Sequence, residues 1–238
     1  MSQFLWTFSD KICVSQLWLK LQPRNMRFFF YVPLVFQLLN CVFGTENIGC
    51  RDESGNLIDW FYLYKLPNTY SGQRSERNVQ SGFKYLFVTP SVTSKWVLSK
   101  KFVNDSASMP GRTLAEVYQG TNKEDNLVMM YNDEPPNDKT DGSRGHTKGV
   151  LVGNTLGGFW MIHSVPKFPP PLEESYGFPS TGSLYGQSFL CISMNQEQLA
   201  TVGKQLQFNE PHFYSSQVPE NLKTLVKISQ ANENLLTF

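Results

Sequence analysis

The sequence predicts an α/β fold, a β-sheet flanked by helices. Short apolar and aromatic runs bounded by Gly, Pro, Asn and Asp recur along the chain, the pattern of strands closed by turns. Other stretches repeat apolar residues at helical spacing, as Leu199, Val202 and Leu206 do, with polar residues opposite. The 238 residues are 40% hydrophobic and 14% aromatic, enough for one sizeable core. A balance of 21 basic and 20 acidic residues gives a net charge of +1. Such a chain has no strong nonspecific pull toward nucleic acid, so any contact with DNA rests on local placement of Arg and Lys.

Met26 opens MRFFFYVPLVFQLLNCVFG, a basic residue followed by an apolar run, which reads as a signal peptide over residues 26–44. The run is short for a membrane span and is interrupted by Pro33, Gln37 and Asn40, so stable membrane insertion is not expected. Residues 1–25 are then either an upstream extension of doubtful relevance or an unusually long leader start. Cleavage after Gly44 leaves Cys50 and Cys191. An even pair in a secreted chain reads as one disulfide, with two buried free thiols as the alternative. Asn104-Asp105-Ser106 is a glycosylation sequon, which calls for an exposed segment.

Taken in order, Asp59–Leu66 (DWFYLYKL) is an aromatic strand stopped by Pro67, and the polar stretch from Asn68 to Gly82 is a loop. Phe83–Val88 reads as a second strand and Trp96–Val103 as a third. Arg74, Arg77 and Lys84 form a basic group, either a phosphate contact or a solvated face. Thr113 with Glu116 three residues later has capping-box spacing and predicts a short helix over LAEVYQ. Asn126–Tyr131 is a core strand closed by the turn NDEPPND. Strands GVLV and FWMIHS, joined by GNTLGG, predict an antiparallel hairpin that brings His163 near the start of GVLV. Alternation puts Phe159, Met161 and His163 on one face and Trp160, Ile162 and Ser164 on the other. VPKFPPP cannot be regular structure, because its prolines lack amide donors. Tyr185–Ser193 is a strand carrying Cys191 into the core, Asn195–Phe208 a helix, and Glu220–Val226 a further helix.

The chemistry centres on Gly145-His146-Thr147-Lys148-Gly149. Side chains two apart on an extended strand share a face, so an imidazole and an ammonium stand side by side. That pair suits a phosphodiester: histidine attacks phosphorus or protonates the departing oxygen, and lysine neutralises charge on the non-bridging oxygens. The flanking glycines would admit a bulky anion to the backbone. His163 is either a second active-site imidazole or a hydrogen-bonded histidine beside the core. No HExxH, cysteine cluster or grouped carboxylates surround the HTK motif in sequence, so neither a metal nor another cofactor is expected.

The runs RGHTKGVLV, GGFWMIHSVPKFPPP and YGQSFLCIS, preceded in order by DWFYLYKLP, GRTL and YNDEPP, resemble deoxyribonuclease II from about Cys50 to about Val226. The resemblance implies a phospholipase D-like half with a mixed β-sheet, residues 45–226 being the N-terminal half and 227–238 a divergent tail. It implies an acid endonuclease, lysosomal or secreted, that cuts double-stranded DNA to 3′-phosphate products without metal. His146, Lys148 and His163 would be its catalytic residues, and Cys50 and Cys191 would pair. An acid optimum fits imidazoles that must be half protonated.

Related enzymes use two HxK motifs, whereas neither His163 nor His212 is followed by x-Lys here. The expectations are therefore an active enzyme, a homodimer that brings two HTK motifs together, or a truncated or incompletely predicted chain acting at most as a DNA- or partner-binding fragment. Where the superfamily has an acidic residue five after the lysine, this chain has Gly153, which leaves the histidine without an assigned aspartate. Gly157 and Gly158 fall about where the superfamily lines the phosphate with small residues.

Overall fold

The computed structural model describes residues 47–68, 82–120, 123–137, 139–140 and 142–226. The expected extension 1–25, the leader 26–44, the tail 227–238, and Arg74 and Arg77 lie outside the described residues. The strands are β1 (Trp60–Lys65), β2 (Lys84–Thr89), β3 (Val92–Phe102), β4 (Leu127–Asn132), β5 (Lys148–Asn154), β6 (Gly157–His163), β7 (Gln187–Met194) and β8 (Phe213–Gln217). Two helices, α1 (Met109–Tyr118) and α2 (Gln196–Asn209), complete the framework. The strands form one eight-stranded sheet in the order β3-β2-β1-β7-β6-β5-β4-β8. The α/β class is as expected, but the sheet is not mixed: every strand pairing in it is antiparallel.

Alternation along the strands divides the sheet into two apolar faces. One carries Phe61, Leu63, Val128, Met130, Val150, Val152, Phe159, Met161 and Phe189, together with Met109, Leu114 and Val117 of α1 and with Val165 and Phe168 of the proline-rich crossing. The other carries Leu127, Met129, Tyr131 and Leu151, together with Leu199, Val202 and Leu206 of α2 and with Leu222 and Val226. Fully burying a large apolar side chain contributes about 1.5–3 kcal/mol, so these two clusters are the main source of stability. Cys50 and Cys191 are bonded, closing a separation of 141 residues.

Several local expectations are corrected. Helix α1 begins before Thr113, because Ser108 is its N-cap, accepting the Gly111 N–H at 3.1 Å, and Pro110 occupies the first turn. Thr113 Oγ1 instead accepts the Arg51 N–H at 3.0 Å, and Glu116 accepts Arg51 Nε at 3.0 Å. The capping box is found on α2, where Asn195 and Gln198 cap one another reciprocally. The stretch between Pro211 and Pro219 is strand β8, paired with β4, and Glu220–Val226 yields only a 3-10 turn at Glu220–Leu222. Lys84 is buried with its ammonium 4.2 Å from the centroid of the Phe102 ring, so it is withdrawn from any phosphate-binding face. Asn104 lies exposed in the turn after β3.

Candidate active site

Strand β5 starts at Lys148, and the HTK segment enters it from the loop before it, as the sequence predicts. The hairpin of β5 and β6 is antiparallel, with Gly149 opposite Ile162, a register that carries Lys148 opposite His163. On the other side Asn132 pairs with Lys148, and beyond His163 comes Phe189. Asn132, Lys148, His163 and Phe189 therefore form one row across four strands, on the face that also holds Val150 and Met161.

Two adjacent carboxylates complete the row. Asp133 and Glu134 follow β4 directly, and Lys148 Nζ is ion-paired with Asp133 Oδ1 and, at 3.3 Å, with Glu134 Oε1. The second oxygen of Asp133 lies 3.2 Å from His146 Nδ1. Asp133 and Lys148 are buried, whereas His146 is 87% exposed. His146 sits in a bend ahead of β5, so the shared carboxylate, rather than strand alternation alone, brings imidazole and ammonium together. Two carboxylates that are not neighbours of the HTK motif in sequence are thus brought to it by the sheet. The partner missing at Gly153 is supplied from the end of the neighbouring strand.

The carboxylates are held by Asn132, which is fully buried. Its Oδ1 accepts the Glu134 N–H at 2.8 Å, while its Nδ2 donates to the carbonyls of Val165 at 3.0 Å and Phe168 at 2.9 Å. Lys167 N–H donates to the Glu134 carbonyl at 2.7 Å, which ties the proline-rich crossing to the same turn. On the opposite face Thr147 hydrogen-bonds the Tyr131 hydroxyl, which also accepts Trp160 Nε1 at 2.8 Å. Asn132 and Lys167 thus hold the turn that carries the two carboxylates, while the Thr147 side chain ties the HTK segment to the opposite face of the sheet.

His163 is 6% exposed and lies in an aromatic cage, with its centroid 5.2 Å from that of Phe168 and 5.8 Å from that of Phe189. Its Nδ1 accepts the Val165 N–H at 3.2 Å, which assigns the proton of the neutral ring to Nε2. Nε2 is buried without a hydrogen-bond partner. Burial first, and the Lys148 charge second, push this imidazole down to about 3. It is a neutral donor at any ordinary acidic pH, not a group ready to protonate a leaving oxygen.

The glycines act differently from the expectation too. A Cβ at Gly145 would collide with the Asn209 carbonyl and one at Gly149 with the Tyr131 hydroxyl, so both serve close packing. Gly158 and Gly157 lie at the far end of the hairpin, opposite Gly153 and Asn154, ~17–20 Å along the strand from Lys148 and too distant to line a phosphate held there. Among the described residues no three His, Cys, Asp or Glu side chains converge as a metal site. Sequence reasoning missed Asn132, Asp133 and Glu134 because NDEPP reads as turn chemistry. Their signal was two consecutive carboxylates directly after an apolar strand.

Comparison with known proteins identifies the family. The family model described as Deoxyribonuclease II matches residues 49–236. Deoxyribonuclease-2-beta of Rattus norvegicus is 40% identical over 190 residues, covering 79% of this chain and 52% of the relative. The Homo sapiens protein of the same name is 38% identical over 203 residues, covering 84% of this chain and 54% of its own. Plancitoxin-1 of Acanthaster planci is 32% identical over 202 residues, covering 84% and 56%. The chain spans about half the length of the curated relatives it matches. With the family model covering most of its length and all the strands that build the site, the chain belongs to the deoxyribonuclease II family.

Proposed function

We propose that this chain carries one HxK half of an acid endodeoxyribonuclease, which hydrolyses phosphodiesters of double-stranded DNA to 3′-phosphate products without metal. The observation that carries the reading is the Asp133 carboxylate shared between exposed His146 and buried Lys148. A carboxylate at Nδ1 fixes the imidazole so that Nε2 is the reactive nitrogen, as the aspartate does for the histidine of a Ser-His-Asp triad. The exposure of His146 leaves that nitrogen open to substrate.

In this mechanism an HxK imidazole Nε2 forms a bond to phosphorus as the bond from phosphorus to O5′ breaks, and a second imidazole gives its proton to O5′. Water then cleaves the phosphohistidine, restoring the imidazole and leaving the 3′-phosphate. Lys148 neutralises the non-bridging oxygens. The second HxK imidazole comes from the remaining half of a longer protein or from a second copy of this chain. His163, caged and neutral, stands opposite Lys148 across the β5–β6 pair as a positioning residue. Entry to the secretory route through the segment 26–44, passage to the lysosome or exterior, and a glycan on Asn104 belong to the same proposal. No helix among the described residues is long and apolar enough to cross a membrane.

Plasmid nicking at about pH 5 in the presence of chelator tests the proposal, with the 238-residue chain, the chain supplied with a second HxK half, and His146→Ala compared. Activity is expected from the assembled protein and to be lost in His146→Ala. A single half is expected to lose at least the ~10²–10⁴ that general acid catalysis supplies. Nicking that survives His146→Ala, or that requires a divalent metal, would remove HxK chemistry from the account.

A further inference from the structure

The Lys148 ammonium, a three-donor group, is already held by two carboxylates that an incoming phosphate has to compete with. The two differ in kind. Asp133 is 7% exposed and also holds His146, so it belongs to the permanent frame of the site. Glu134 is 37% exposed and contacts Lys148 at 3.3 Å. Its backbone is pinned by the Asn132 side chain at one end and by the Lys167 N–H at the other, which leaves the side chain as the movable part.

We propose that the Glu134 carboxylate occupies the place on Lys148 that a phosphodiester oxygen of the substrate takes, so that DNA binds productively only when Glu134 is protonated or swung aside. Glu134 would thereby set the acid dependence of substrate binding at this site, a role distinct from the imidazole chemistry. The inference rests on the phosphodiesterase reading above and names the residue that admits its substrate. The groups that share the surroundings are Asp133 on the same turn, His146 and Lys148 leading into β5, buried His163 opposite Lys148, and exposed Lys167 on the crossing. His212, whose carbonyl accepts the Asn132 N–H at 2.9 Å, lies on the segment entering β8. Of the carboxylates among these, Glu134 is the one open to solvent beside the ammonium. An ionised carboxylate there repels an incoming phosphate and competes with it for the same donor. A neutral carboxyl does neither.

Fluorescence anisotropy with a short labelled DNA duplex at about pH 5 and about pH 7, at constant ionic strength, separates the possibilities. The wild-type chain is expected to bind about tenfold or more tightly at the lower pH. Glu134→Gln keeps the shape and removes the charge, and should reduce that ratio to about threefold by tightening binding at neutral pH. Glu134→Ala should show the same neutral-pH gain. A pH ratio unchanged in both variants overturns the role of Glu134 and leaves the phosphodiesterase reading standing. Absence of DNA binding by wild type and variants alike at the lower pH overturns that reading, and this inference with it.

Discussion

Replacing Asp133 with asparagine tests the centre of the site without changing its shape. The carboxylate and the Lys148 ammonium are 7% and 5% exposed, so each depends on the other for solvation. Removing one member of such a pair costs about 3–5 kcal/mol, because the survivor remains buried with an uncompensated charge. Here Glu134 stays within 3.3 Å of Lys148, but it is 37% exposed and a half-solvated pair is worth only about 0–1 kcal/mol, which sets the expected loss near 3 kcal/mol. For a folded region of this size that is a fall in Tm of about 6–12 °C. Lys148→Met should cost a similar amount, since it strands Asp133. The double variant Asp133→Asn with Lys148→Met should cost about 2–3 kcal/mol less than the two singles together, because no unpaired charge remains. Urea denaturation of the four proteins supplies the cycle. Additivity within about 0.5 kcal/mol would refute the reasoning, since it would mean that the two groups are solvated independently.

Three further perturbations follow from the same geometry. His163 folds as a neutral imidazole near 3 against an unfolded value of 6.5, so its contribution is intact above about pH 6.5 and is lost progressively as pH falls toward about 3. His163→Gln should therefore lose about 2 kcal/mol less than wild type between about pH 7 and pH 5, and equal acid sensitivity in thermal melts would contradict the neutral cage. Cys50→Ala with Cys191→Ala opens a separation of 141 residues, for which chain entropy allows about 5 kcal/mol, and a loss under about 1 kcal/mol in denaturant titration would count against that model. Asn132→Ala removes the donor to Val165 and Phe168 and the acceptor for Glu134, three bonds worth about 1 kcal/mol each. Its crossing at residues 165–171 should exchange amide hydrogen faster than in wild type, and unchanged exchange would show that the strap holds without it.

Much of the framework was legible because it is local. The aromatic and β-branched runs at β1, β2, β4 and β7 carry their period in adjacent residues, and the turn GNTLGG between GVLV and FWMIHS fixed a hairpin in which Phe159, Met161 and His163 do share the buried face. Helix α2 declared itself through Leu199, Val202 and Leu206. Strand β8 did not, because FYSSQ lacks an apolar run and becomes a strand only when β4 offers it an edge. The start of α1 was misplaced for a similar reason: Thr113 and Glu116 have the spacing of a cap, but a neighbour distant in sequence, Arg51, claims both side chains.

By itself the sequence determined the strand and helix periods, the α/β class, the HTK segment with His163 nearby, and through its motifs the family. Tertiary structure alone decided which charges meet. Asp133 lies thirteen residues before His146 and fifteen before Lys148, and no period relates them; the β4–β5 register, which pairs Asn132 with Lys148, carries the turn after β4 to the segment before β5. The electrostatics of His163 were decided the same way, since burial between Phe168 and Phe189 depends on a crossing that has no regular structure to predict. Backbone preference is written in neighbours along the chain, whereas charge pairing and desolvation depend on distances in space that only the folded sheet sets.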